Sequence, residues 1–162
     1  MLIIIFFSPI LLYILYSVSM EDIETMLINE TKLIILAISG FIYLVCLGFS
    51  NEKIDIKYLI TNNLFSMIII FIIMYSISHI SYKIFGVNSL GMGDIKLSSI
   101  STIWLGIQLS FLSLCISFSV SAIYSLHGKI TKRFIPFEQY PFAPFLSIGI
   151  FSSWIIDKIQ TL

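Results

Sequence analysis

Charge is what this sequence has least of: Asp, Glu, Lys and Arg together make up 11% of it, against about 25% in an average soluble domain. That shortage excludes an ordinary soluble fold. Nine basic residues balance nine acidic ones, so no net field draws the chain to nucleic acid or to an anionic surface. There are two cysteines, Cys46 and Cys115, each inside an apolar run and not in a C-x-x-C pair. They read as packing residues, which excludes a disulfide or a zinc site built on them. The two histidines, His79 and His127, have no carboxylate or second histidine at metal-ligand spacing, so no metal or other cofactor is expected. The first apolar run lacks a basic leader and a small-residue cleavage site, which excludes a signal peptide.

Hydrophobic residues fill the space left by charge. They make up 58% of the chain, and mean hydropathy is +1.03. An all-α, polytopic integral membrane protein follows, with the lipid bilayer as its solvent. At about 20 residues per spanning helix, the 162 residues hold about six transmembrane helices and form a single transmembrane domain, residues 1–162. The spans are expected over residues 2–18, 33–49, 58–80, 95–106, 109–126 and 142–156. Pro9 lies in the first, where a membrane helix tolerates it. Gly40 and Gly48 allow close helix contact in the second, and Asn62 and Asn63 in the third suit hydrogen bonds between helices.

The fourth and fifth spans come from one apolar stretch, residues 97–126. A single helix of that length would reach about 45 Å, well beyond a hydrocarbon core of about 30 Å. We therefore divide it at a tight turn over Gly106, Ile107 and Gln108. With the N-terminus outside, Lys32, Lys83, Lys96, Lys129, Lys132 and Arg133 lie on the cytoplasmic side, against Lys53, Lys57 and Lys158 outside. The positive-inside rule favours that orientation. It also puts Asp22, in the polar stretch 19–32, on the same face as Asp94.

Asp94 opens a hydrophobic run just after Gly91 and Gly93, whose freedom in φ lets the chain bend or extend there. A carboxylate at a membrane boundary is costly to desolvate and normally has a partner or a task. The bland role for Asp94 is as N-cap of the following helix. The bland role for Glu21, Asp22, Glu24 and Glu30 is a solvated loop or a first helical turn, where acids suit the helix dipole. The sharper role is chemical. Two carboxylates sharing one proton can hold a water, one acting as base on it while the other polarises a carbonyl.

The pattern Asp22 in D-I-E-T-M-L-I-N, G-M-G-D-I-K-L over residues 91–97, W-L-G over 104–106 and P-F-A-P-F-L-S-I-G over 141–149 resembles the type IV prepilin peptidases, GxGD-type intramembrane aspartyl proteases. The resemblance implies that Asp22 and Asp94 are the catalytic pair, that Gly91 and Gly93 shape the turn presenting Asp94, and that Lys96 is a positioning residue. It implies as substrate a prepilin or pseudopilin-like protein whose basic leader is cut at the cytoplasmic face of the inner membrane. Glu21, Glu24 and Glu30 are then candidates for attracting that leader. Asn29 stands where the family usually has proline, and Thr102 where it often has glycine. The family's cysteine-paired module associated with N-methylation has no counterpart before Asp22, so cleavage without methylation is expected. A preflagellin-type peptidase would share the pair and differ in substrate. A non-enzymatic assembly factor or small transporter would leave the two aspartates far apart.

Overall fold

A computed structural model describes residues 2–50, 55–86, 90–131 and 140–160. They form five helices: α1 (Leu2–Thr25), α2 (Glu30–Ser50), α3 (Ile56–Phe85), α4 (Met92–Ile130) and α5 (Ala143–Gln160). No strand occurs among the described residues. Four of the helices are long and apolar enough to cross a bilayer, over Ile5–Thr25, Glu30–Ser50, Ile56–Phe85 and Met92–Ile130. Length and hydropathy thus support the all-helical membrane class, but not the expected count of six full spans. Lys53, Lys132 and Arg133, used in the charge count, and Ser89 lie outside the described residues.

The continuity of α4 is only formal. Gly106 has φ 72° and ψ 177°, a non-helical conformation that splits α4 into residues 92–105 and 107–130. Side-chain contacts give the directions of the two parts. Ser19 pairs with Ser147 and Ser8 with Trp154, so α5 runs antiparallel to α1. Phe118 meets Phe142, and Gly149 lies against Ser113 and Ser117, so the second part of α4 runs antiparallel to α5 and parallel to α1. The first part runs the other way: it starts at the Asp22 end of the bundle and carries Trp104 down to Phe7, Tyr43 and Trp154. The chain therefore reverses at Gly106, at the first residue of the expected turn. The first part, 14 residues at about 1.5 Å each, is too short to cross a full bilayer alone.

Packing at the reversal explains its position. Asn63 on α3 donates to the Ile103 carbonyl at 3.1 Å, and Ser99 donates to the Met67 carbonyl at 2.9 Å, tying α3 to the first part of α4. Trp104 donates through Nε1 to the Leu36 carbonyl at 2.9 Å. It lies over Gly40, where a Cβ would come within 2.7 Å of that nitrogen. A Cβ on Gly149 would fall 2.1 Å from the Ser117 hydroxyl, so here too small residues allow close approach, as membrane helix pairs require. Trp104 stacks on Tyr43 and meets Trp154 and Phe7 edge-on, closing the far end of the core.

Helix limits differ from expectation where polar residues are involved. The stretch 19–32 is not all loop. α1 continues through Met20 and Asp22 to Thr25, because Asp22 finds a buried donor on α5 and no longer favours a solvated turn. α1 ends at Thr25, and Met26 just beyond it takes φ 53°. Asn29 then caps α2, accepting from the Thr31 N–H at 2.9 Å and from its hydroxyl. Thr102, the other departure from the family pattern, is buried and returns its hydroxyl to the Ser99 carbonyl at 2.7 Å.

Candidate active site

Asp22 lies on the last turns of α1 and Asp94 on the first turn of α4. They are 72 residues apart in sequence, yet the bundle brings them close enough to interact electrostatically. Asp22 is buried. Its Oδ2 accepts a hydrogen bond of 2.9 Å from the backbone N–H of Ala143, with the Phe142 amide alongside. Phe142 is itself the cap of α5, since its carbonyl accepts from the N–H groups of Phe145 and Leu146. The carboxylate of Asp22 therefore sits at the N-terminus of α5, where unpaired amides and the helix dipole favour negative charge.

Asp94 is held differently. It is not the N-cap of α4; Gly91 is, with extended φ −70° and ψ 153°. Asp94 stands three residues further on and turns back to the Gly91 backbone, as an acid at that position does in a capping box. That occupies one side of the carboxyl. Its Oδ1 is buried and has no hydrogen-bond partner among the described residues. An unpaired buried oxygen costs about 1–3 kcal/mol, which sets this one apart from the ordinary buried polar atom.

The two glycines matter for space, not for torsion. Neither Gly91 nor Gly93 has positive φ; the only glycines among the described residues that do are Gly86 and Gly106. A Cβ at position 91 would lie 3.3 Å from Asp94 Oδ2, and one at 93 would lie 3.1 Å from Cβ of Ile28. The absence of side chains lets the α4 terminus fit beneath the α1–α2 connection. Gly91 is extended, as the expected bend or extension allows, at a φ open to any residue.

Lys96 forms a salt bridge with Glu30, joining the starts of α4 and α2. Glu21 pairs with Lys32 at 3.2 Å, and Lys32 also donates to the Ser17 carbonyl at 2.7 Å. Two of the three acids considered for substrate contact are thus held by lysines. Glu24 is exposed and has no ion pair among the described residues. His79 stacks on Tyr75, Cys46 is partly buried and Cys115 is exposed. Among the described residues no three of His, Cys, Asp and Glu converge. The residue that sequence reasoning missed is Ala143, whose backbone amide is used and whose side chain has no chemistry to notice. The only signal for it was its place in P-F-A-P-F-L.

The model of the type IV leader peptidase family matches residues 9–126, which include Asp22, Asp94 and the reversal at Gly106. Comparison with curated proteins and with solved structures returned no match.

Proposed function

Since the chain belongs to the type IV leader peptidase family, we propose that it is an aspartic endopeptidase that removes the basic leader from a prepilin or pseudopilin-like protein. The observation that carries this reading is the convergence of Asp22 and Asp94, with one carboxyl oxygen of Asp94 unpartnered among the described residues. Two like charges in one site cannot both ionise cheaply, so the pair shares a proton and titrates as a unit. One carboxylate takes a proton from the water as its oxygen bonds to the scissile carbonyl carbon. The other carboxyl gives its proton to the carbonyl oxygen. When the resulting diol collapses, the C–N bond breaks, the leaving nitrogen takes the first proton, and a diol hydroxyl returns its proton to the second aspartate.

Orientation has independent support. With the reversal at Gly106, Lys32, Lys83, Lys96 and Lys129 belong to the aspartate end of the bundle, and Lys57 and Lys158 to the other. That asymmetry favours a cytoplasmic site in the inner membrane. Six membrane-embedded segments, two of them the arms of α4, fit this arrangement. The reading extends to cleavage by these 162 residues without N-methylation, the chemistry assigned to the aspartate pair being hydrolysis alone.

The test is processing of a prepilin by the purified protein with a methyl donor present. Asp22→Asn and Asp94→Asn are each expected to abolish cleavage with insertion intact, while Glu21→Gln and Glu24→Gln are far milder. Full processing by either aspartate variant would refute the assignment. Mass spectrometry of the product reads the second point, since a mature N-terminus one methyl group heavier would contradict it.

A further inference from the structure

The two aspartates have unequal surroundings, and the inequality assigns their roles. Asp22 Oδ2 receives the Ala143 N–H at 2.9 Å from the first turn of an 18-residue helix. Such a bond favours the charged form of the carboxylate, and the aligned dipoles of α5 add to it. Asp94 has the opposite environment: one side is turned to the Gly91 backbone and Oδ1 is buried without a donor among the described residues. A bare oxygen beside a second carboxylate suits a carboxyl O–H, which needs an acceptor and not a donor.

We infer that the Ala143 backbone N–H is a positioning group that keeps Asp22 as the ionised member of the pair and leaves the shared proton on Asp94. This rests on the aspartic reading above and deepens it. Asp22 is then the base that takes the proton from water, and Asp94 the acid that protonates the substrate carbonyl. The short segment before α5 acquires a catalytic reason to be where it is. Phe142 caps the helix, so the Ala143 N–H is not needed by the helix itself and is free to serve Asp22.

Among the described residues, the other charged or titratable groups on elements packed around Asp22 include Glu24, exposed and without an ion pair, Tyr124, which meets Tyr140, and His127 and Lys129 in the last turn of α4. Lys96 pairs with Glu30 between α4 and α2, Lys32 pairs with Glu21 between α2 and α1, and Tyr140 ahead of α5 bonds to Ser121. Asp94 is the group that interacts electrostatically with Asp22 across the site.

The test replaces Ala143 with lactic acid in the full chain, exchanging the N–H for an oxygen without adding bulk. Ala143→Pro removes the same donor genetically at a first-turn position where proline suits a helix, and its ring also presses on Asp22 Oδ2, now 2.9 Å from that nitrogen. Charge-assisted hydrogen bonds of this kind correspond to roughly a 10- to 100-fold change in rate. We expect kcat to fall by that factor with KM little altered, and the acidic limb of the pH profile to move toward higher pH by about one unit. An ester at Phe145, whose N–H serves only the Phe142 carbonyl, controls for a weakened helix start and should leave the limb in place. An unmoved limb in both position-143 variants, with Asp22→Asn and Asp94→Asn inactive, would overturn the inference alone. Active Asp→Asn variants would overturn the aspartic reading beneath it.

Discussion

A methyl group added at Gly91 would press on Oδ2 of Asp94 from 3.3 Å, whereas the backbone there, at φ −70°, accepts any residue. Gly91→Ala should therefore leave stability almost unchanged and still lower cleavage roughly tenfold, because small misplacements of a reacting group are expensive. Gly93→Ala is a different case. Its Cβ meets three atoms of Ile28 at 3.1–3.2 Å, and the gain in helix propensity, about 1 kcal/mol, offsets part of the crowding. Thermal unfolding in detergent beside a cleavage assay separates the two: a stability loss at 91 without an activity loss would contradict this account. Asp22, Asp94 and both glycines were legible as motif letters. What the glycines do was not, since torsion and space look alike until the neighbours are known.

At the scale of the element, positive φ separates the glycines that look interchangeable in sequence. Gly86 ends α3 at φ 72° and ψ 4°, and nothing lies within 4 Å of an added Cβ. Asparagine adopts that left-handed conformation readily. Gly106, at φ 72° and ψ 177°, occupies a region essentially closed to other residues, at about 1–3 kcal/mol. Gly86→Asn should cost a few tenths of a kcal/mol at most on that basis, about the level of an ordinary surface change. Gly106→Asn should lower the unfolding temperature and reduce cleavage. Equal tolerance at the two sites would argue against the break in α4. That break was visible beforehand because an apolar run too long for the membrane must bend somewhere, and a glycine lay near its middle. The extension of α1 through Asp22 was not visible, because acids read as loop until a donor on a distant helix is found.

For the whole molecule, the directions of the helices decide which groups share a face. Tyr82 lies near the aspartate end of α3 and Tyr58 near the other, both well exposed. With Cys46 and Cys115 changed to serine, Tyr58→Cys should react with an impermeant maleimide in intact cells and Tyr82→Cys only after the membrane is opened. The reverse pattern would place the site outside. An all-helical, apolar chain was readable from composition, but the alignment of its helices was not, since interhelical bonds such as Asn63 to the Ile103 carbonyl leave no periodic trace. The fold-back at Gly106 also works as a ruler. The arm from Asp94 to Gly106 has a fixed number of residues, its lower end pinned by Trp104 to the Leu36 carbonyl and by Asn63 to Ile103. One residue inserted in that arm would swing Asp94 around the helix axis by about 100°, and two full turns would restore its bearing while raising it by about 10 Å. On the proposed role of Asp94, the depth of the cut is thus counted out in residues from a turn on the opposite side of the core.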